Sequence, residues 1–196
     1  MVERLKAEHN VDVEWRPFYL YFDVPPEGME LPEHVKQARL NGSEERLRQI
    51  AESYGLGFVS TKRIYNTRLA HEATEYARER GNPARFNSTV QRNERGRASE
   101  FHKVLFRKVY AEGQDPGQWD VLRSVAEEVG LDAVEMQRQV ENEKYKVIVA
   151  DQVRQAYQIG VTGVPTYVIN NRYAIVGAQP YEVFKRALEQ ITNQKD

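Results

Sequence analysis

The chain has 196 residues with 28 basic and 29 acidic side chains, which gives a formal net charge of −1. This balance favours neither nucleic acid nor an anionic membrane as a partner, and no apolar run approaches the roughly eighteen residues of a membrane-spanning helix. The sequence contains no cysteine, which excludes disulfides, thiolate zinc sites and cysteine nucleophiles from this polypeptide. Because Met1–Lys6 also lacks the apolar core of a signal peptide, we expect a cytoplasmic protein.

The N-terminal segment predicts a helix followed by a strand. Residues 1–9 have a helix-forming composition, and the run Val11–Phe18 alternates apolar and polar side chains as far as Arg16. Alternation of this kind is typical of a half-buried strand. Pro17 ends the pattern because proline has no N–H to donate into a ladder.

The middle of the chain, from about residue 33 to residue 160, has the pattern of helices. Apolar side chains recur at helical spacing, and glycines follow the ends of the stripes. Asn66 or Thr67 is expected to begin one helix, and Asp132 with Glu135 resembles a capping box at the start of another. Residues 82–90 read as a break between helices.

The spacing of the apolar residues changes from a helical to a strand pattern near the C-terminus. Thr166–Ile169 and Tyr173–Val176 are β-rich runs separated by residues 170–172. Two of the three connecting residues are asparagine, which tolerates a positive φ, so the segment predicts a β-hairpin. Apolar residues at helical spacing between Val183 and Ile191 predict a closing helix.

The most informative stretch is Gly163-Val164-Pro165-Thr166, immediately before the hairpin. A proline at the first position of a strand is often only a rigid entry to the sheet, and only about 5–6 per cent of X-Pro bonds are cis. With the hairpin, the following Gly177–Pro180 segment and the closing helix, however, this stretch resembles the C-terminal end of the thioredoxin superfamily. The Gly-Ala-Gln-Pro sequence is similar to the DsbA/FrnE-like branch in particular.

The resemblance implies both a fold and a site. The expected fold is α/β and thioredoxin-like, with a large all-helical insertion between the N-terminal strand and the C-terminal β-hairpin plus helix. The thioredoxin-like domain is expected at 1–29 and 156–196, and the helical lobe at 30–155. By analogy with the family, the Val164–Pro165 peptide is expected to be cis, and Gly163, Val164, Pro165 and Thr166 are expected to contact the substrate.

Members of that family open with a strand and a Cys-x-x-Cys turn at a helix N-terminus, where the helix stabilises the attacking thiolate. Here the helix before Val11 begins at Met1, about where the second half of that first helix would lie. Either the chain is N-terminally truncated or its lineage has lost the motif. An absent interior strand leaves backbone groups unpaired at about 1–3 kcal/mol each, which favours truncation. Three outcomes are expected for the gap: direct closure of the flanking strands, insertion of a strand from a second copy, or poor solubility of the chain. Exchange between copies, and hence a homodimer, is favoured.

Three functions follow from the resemblance. The first is a dithiol–disulfide oxidoreductase or isomerase that acts on protein or peptide thiols and disulfides. Because the redox-active cysteine pair is absent from this chain, we expect it to be redox-inactive and to have no catalytic residue. The second is a glutathione-dependent enzyme similar to kappa-class transferases or 2-hydroxychromene-2-carboxylate isomerase. The third is a binding protein that keeps only the cis-proline groove. No cofactor is expected for the first function, whereas glutathione is the cofactor of the second. Neither nucleic acid nor membrane is an expected partner.

The histidines do not suggest a metal site. His9, His34, His71 and His102 are scattered along the chain without a metal-binding spacing. We therefore expect each to be a surface residue or a core residue with its hydrogen bonds satisfied.

Overall fold

The computed structural model describes residues 1–80 and 96–193. The chain divides into two compact units, one formed by Met1–Leu20 together with the chain from Gln152 onward, the other by Tyr21–Asp151. The sequence predicts the boundaries of the helical lobe between residues 29 and 30 and between residues 155 and 156. The break predicted at residues 82–90 lies outside the described residues.

The Tyr21–Asp151 unit, here called the helical unit, is built mainly of α-helices. Its elements are β1 (Met29–Glu30), α2 (Glu33–Leu40), α3 (Ser43–Ser53), β2 (Arg63–Ile64), α4 (Arg68–Arg80), α5 (Gly96–Phe106), a π-helical turn (Arg107–Ala111), α6 (Trp119–Glu128), α7 (Ala133–Glu141) and the first part of α8 (Lys144–Gln158).

The core of the helical unit forms where the apolar stripes of its helices meet. Phe101 of α5, Leu122 of α6 and Met136 of α7 are fully buried. Tyr76 of α4 packs edge-on against Tyr145 of α8, with ring centroids 5.9 Å apart. Each fully buried side chain of this size contributes about 1.5–3 kcal/mol by leaving water. The apolar side chains that recur at helical spacing in the sequence therefore form the core of this unit.

Two local features hold the helices at their ends and joints. The Asp132 carboxylate accepts a hydrogen bond from the Glu135 backbone N–H at 2.9 Å, which caps α7 as its sequence predicts. The Asn66 side chain accepts a bond from the Arg68 N–H at 3.0 Å, just before α4 begins. Both bonds satisfy backbone donors that have no partner within their own helix.

One part of the helical unit differs from the expectation of a purely helical lobe. β1 and β2 form a short antiparallel ladder, in which Met29 pairs with Ile64 and Glu30 with Arg63. Gly28 precedes this ladder with a φ of 78°, and the Arg63 guanidinium donates to its carbonyl at 3.1 Å. Strands of two residues are too short to show a period, which is why the sequence gives no sign of them.

The other unit, here called the hairpin unit, contains α1 (Val2–Glu8), the end of α8, β3 (Thr166–Ile169), β4 (Tyr173–Val176) and α9 (Tyr181–Asn193). β3 and β4 pair antiparallel, from Thr166 opposite Val176 to Ile169 opposite Tyr173. The turn residues Asn170 and Asn171 have φ values of 52° and 54°, so the predicted hairpin is confirmed. Tyr167 of β3 packs edge-on against the buried Phe184 of α9, at 4.7 Å between ring centroids.

The strand predicted over Val11–Phe18 is wrong as a paired strand. Burial alternates from Val11 to Arg16, as the apolar–polar pattern requires. Yet this segment belongs to neither sheet of the described residues, and in those residues β3 pairs only with β4. An alternating pattern fixes which side chains turn inward, whereas a ladder also needs a neighbouring strand about 4.8 Å away. Direct closure of the two flanking strands therefore does not occur within this unit.

Among the described helices, none combines the length and the apolar character needed to cross a membrane.

Candidate functional site

The loop between α8 and β3 contains all four residues that the sequence predicts as substrate contacts. Gly160, with a φ of 83°, follows α8, and the Val161 N–H donates to the Ala156 carbonyl at 3.0 Å. A residue in the left-handed region at this place is the usual end of a helix, because it lets the chain turn back onto the last carbonyls. The loop therefore starts from a fixed helix end.

Its far end is fixed to the hairpin. The Thr166 hydroxyl donates to the Gly163 carbonyl at 2.7 Å, which closes the segment Gly163–Thr166 on itself. The Gly177 N–H donates to the Pro165 carbonyl at 2.8 Å, one step beyond the last pair of the β3–β4 ladder. The Val164–Pro165 peptide is cis. Hydrogen bonds of the Gly163 carbonyl, the Pro165 carbonyl and the Thr166 hydroxyl thus hold three of the four predicted residues in place.

Val164 differs from its neighbours in the loop. Its side chain is 50% exposed. Within residues 1–80 and 96–193, its backbone N–H and C=O make no hydrogen bond to the protein. Backbone groups of this kind are strong donors and acceptors that need a partner, either water or a ligand. The loop therefore presents one residue with both of its polar backbone groups available.

The backbone groups of β3 alternate in direction. In an antiparallel pair, residues that exchange hydrogen bonds alternate with residues whose backbone groups point the other way. The Gly177–Pro165 bond sets this alternation, so Tyr167 and Ile169 bond to β4. Thr166 and Val168 consequently direct their N–H and C=O groups to the edge opposite β4. We call this row, together with Val164, the outer edge of β3.

Aromatic contacts hold the extended N-terminal segment to the end of α8. The ring of Phe18 packs on that of Tyr157 with centroids 4.8 Å apart. The Tyr157 hydroxyl donates to the Tyr19 carbonyl at 2.7 Å. Side-chain contacts, rather than a ladder, therefore position this segment within the hairpin unit.

Comparison with known proteins places this geometry in a family. A family model described as the DSBA-like thioredoxin domain matches residues 1–189. The chain belongs to this family. The predicted family and the predicted thioredoxin-like fold are both confirmed. The chain is also similar to the protein YwbO of Bacillus subtilis (strain 168), with 28% identity over 196 residues, covering 98% of this chain and 88% of YwbO.

Two solved structures are similar to the DSBA-like chain. A 2-hydroxychromene-2-carboxylate isomerase superposes with a TM-score of 0.72 at 18% identity, over 99% of this chain and 88% of the isomerase. A probable DsbA oxidoreductase from Streptomyces coelicolor superposes with a TM-score of 0.62 at 28% identity, over 79% of this chain and 61% of the oxidoreductase. The first likeness is one of fold. The second also carries sequence similarity, over about three fifths of that protein's length.

Elsewhere in the hairpin unit of the DSBA-like chain, a polar cluster joins α1 to α9. The Tyr181 hydroxyl donates to the Glu8 carboxylate and lies 3.2 Å from His9 Nε2. The Arg4 guanidinium lies over the Tyr181 ring, 3.7 Å from its centroid, and donates to Glu8 at 2.6 Å. This hydrogen bond from Arg4 is the main reason that the Glu8 pKa is lowered. The sequence does not reveal the cluster, because its members lie at opposite ends of the chain.

The helical unit contains two histidines whose pKa values are lowered. Burial lowers the pKa of His71 on α4 to about 4, and the charge of His102 on α5 lowers it further. Burial likewise lowers the pKa of His102 to about 4, assisted by Arg78. The His102 ring also packs edge-on against Phe106 at 4.7 Å. Both imidazoles are therefore neutral at physiological pH.

In the described residues, these histidines are not part of a group of metal ligands. In the two described ranges, no group of three or more His, Asp or Glu side chains is placed to hold a metal ion. The sequence places His71 and His102 on separate helices but does not indicate that those helices pack together.

Proposed function

We propose that this DSBA-like chain binds a peptide that carries a thiol or disulfide, glutathione included, at the Gly163–Thr166 loop. The observation that carries the proposal is the backbone of Val164, which is half exposed and has no hydrogen bond to the described part of the protein. An extended peptide lying beside this residue can exchange two backbone hydrogen bonds with it, as peptides do when they add to a strand.

The family relation supports a sulfur-bearing ligand. The chain shares 28% of its residues with a probable DsbA oxidoreductase over 79% of its own length, a stretch longer than either structural unit. Glutathione is itself a peptide thiol, so the oxidoreductase and glutathione-dependent alternatives place the same chemistry at this loop. A polypeptide without disulfides also suits the reducing cytoplasm, where we place the protein.

The chain's own part in the chemistry is binding and orientation. Thiol–disulfide exchange proceeds by attack of a thiolate on a disulfide sulfur, and these 196 residues contain no cysteine. We therefore propose that it holds a thiol or disulfide ligand without undergoing exchange itself.

Calorimetric titration of the purified chain with reduced glutathione and with a thiol-bearing peptide tests the proposal. We expect one saturable site for the peptide. Val164→Glu places a bulky carboxylate beside the pairing residue and should weaken binding by about tenfold or more, a loss of the order of one to two hydrogen bonds. The matched control is Val147→Glu, because Val147 is 71% exposed on the part of α8 in the helical unit. Absence of saturable binding, or equal weakening by both substitutions, contradicts the proposal.

A further inference from the structure

The helix α3 turns its apolar side chains toward water. Leu47 and Ile50 of α3 and Tyr54, which directly follows its last residue, are 53%, 56% and 69% exposed. Positions three and four apart lie on one face of a helix, so these three side chains form a single stripe. All eleven residues of α3 are described, and none of them is buried. The apolar stripe of α3 therefore faces solvent, whereas those of α5, α6 and α7 form the core of the helical unit.

The end of α3 adds a fourth apolar side chain to this stripe. Gly55 has a φ of 69°, and the Leu56 N–H donates to the Ala51 carbonyl at 2.9 Å. This bond pattern turns the chain back over the last turn of the helix and places the residue after the glycine beside it. Leu56 is 62% exposed. The name α3 stripe is used below for Leu47, Ile50, Tyr54 and Leu56.

Polar contacts hold α3 to the rest of the helical unit. The Ser60 hydroxyl donates to the Glu44 carboxylate at 2.7 Å. The Arg39 guanidinium of α2 donates to the Ser60 hydroxyl at 2.9 Å and to the Thr61 carbonyl at 2.7 Å. A helix of eleven residues is marginal in water unless its apolar face packs against another surface. These polar contacts orient α3, but they leave its apolar face without that packing.

We propose that the α3 stripe is the contact surface of a homodimer, in which α3 of one copy packs antiparallel against α3 of a second copy. A two-fold axis passes near Ile50, so that Ile50 lies beside the second copy's Ile50 and Leu47 meets the second copy's Tyr54. A contact of this symmetry uses the same patch on both copies. It goes beyond the proposed function, because it requires neither a ligand nor an exchanged strand.

The area of the stripe is sufficient for a weak dimer. Each of its four side chains exposes roughly 50–100 Å², so two copies bring together roughly 400–800 Å² of apolar surface. Apolar atoms make up about 60 per cent of such contacts, which gives a total buried area of roughly 700–1,300 Å². A specific contact needs about 1,000 Å². We therefore expect a concentration-dependent dimer with a dissociation constant of the order of micromolar.

The charges on α3 favour a second copy over a strongly charged partner. Glu44 is neutralised by Arg39 at 3.6 Å and by Arg48 at 3.8 Å. Arg46 borders the stripe, but antiparallel pairing separates its two copies by about 13 Å along the helix axis, which exceeds the screening length of about 8 Å. The same pairing places each helix N-terminus near the C-terminus of the other, where the helix dipoles attract. A net charge of −1 on each copy adds little repulsion.

Sedimentation equilibrium of the purified chain over a wide concentration series tests the proposal. The wild type should change from monomer to dimer as its concentration rises. Ile50→Glu places two carboxylates together at the two-fold axis and should weaken dimerisation by at least about a hundredfold. Glutamate is a good helix former, so the variant should keep the wild-type far-UV circular dichroism. The matched control is Val134→Glu, because Val134 is 76% exposed on α7; it should leave dimerisation unchanged.

A charge-swap experiment tests whether α3 pairs with α3. Ile50→Glu and Ile50→Lys should each be monomeric at concentrations where the wild type is a dimer. Their equimolar mixture should form a one-to-one dimer, because opposite charges then meet at the two-fold axis. Recovery in the mixture also shows that both variants are folded.

Four results overturn the inference. They are a wild type that stays monomeric at every concentration, a dimer that Ile50→Glu leaves intact, a dimer that Val134→Glu weakens equally, and a charge-swap mixture that stays monomeric. Peptide binding at the Gly163–Thr166 loop is measured separately by calorimetry, so each of these results leaves the proposed function standing.

Discussion

The largely buried histidines of α4 and α5 should make the helical unit sensitive to mild acid. The pKa values of His71 and His102 are both about 4 in the folded chain, against an ordinary value of 6.5. When folding lowers the pKa of a histidine, the stability that this histidine contributes is fully present above the pKa of the unfolded chain. That stability is lost as the pH falls from the unfolded pKa toward the folded pKa. The loss begins near pH 6.5 and is complete near pH 4.

The magnitude follows from the two pKa values. Between about pH 7.5 and pH 5, each ring should account for up to about 2 kcal/mol, so the pair accounts for up to about 4 kcal/mol. Both side chains keep partial exposure, and we therefore expect a total of about 2–4 kcal/mol. A domain of ordinary stability has only about 5–15 kcal/mol to lose.

Urea unfolding, followed by far-UV circular dichroism at about pH 7.5, 6.5, 5.5 and 5, measures this loss. Glu72, whose pKa is raised by burial, acts in the opposite direction, so the informative quantity is the difference between variants. The double variant His71→Gln/His102→Gln should lose about 2–4 kcal/mol less than the wild type over this range.

His34→Gln is the matched control, because His34 is exposed on α2 and should leave the pH dependence unchanged. Equal pH dependence of the wild type and the double histidine variant would refute the reasoning, since it would mean that neither ring is held neutral by folding.

Further predictions concern redox activity, a helix cap and the core. The purified chain should reduce insulin no faster than the buffer blank, because exchange requires a thiolate and the sequence has no cysteine; turnover above the blank would reveal a different chemistry. Asp132→Ala should cost about 1 kcal/mol in urea unfolding by removing the bond to the Glu135 N–H, whereas Asp132→Asn should cost much less. Leu122→Ala should cost about 2–5 kcal/mol, since Leu122 is fully buried, while Leu40→Ala, at a position 79% exposed, should change stability by less than about 0.5 kcal/mol.

The sequence is informative where a local rule decides the structure. Asp132 caps α7 because a carboxylate at that position reaches the N–H three residues on. Asn170 and Asn171 form the hairpin turn because asparagine tolerates the positive φ that a tight turn requires. The Gly163–Thr166 segment carries enough of the family pattern to indicate the loop before its geometry is known.

The sequence is less informative where the structure depends on which distant segments meet. The pairing of Met29 with Ile64 joins two strands of only two residues each, and so short a strand has no recognisable period. Proximity of His71 to His102 requires α4 to pack on α5. The alternation along Val11–Arg16 correctly indicates which side chains are more buried, but pairing depends on a neighbour that no local pattern reveals.

The direction of the backbone groups along β3 combines both kinds of information. The Gly163–Thr166 loop is visible in the sequence, whereas the direction of the Thr166 and Val168 backbone groups follows only from the register with β4. Once Thr166 is paired opposite Val176, the alternation of an antiparallel ladder determines which edge each residue faces.

Amide NMR spectroscopy of the nitrogen-15-labelled chain during titration with a thiol-bearing peptide tests the proposed function most directly. The amides of Val164 and Thr166 should shift and exchange more slowly with solvent as the peptide saturates. The amides of Asn170 and Asn171, at the hairpin turn, should change little. Saturating peptide that leaves the amides of residues 163–166 unchanged would contradict the claim that this loop is the binding site.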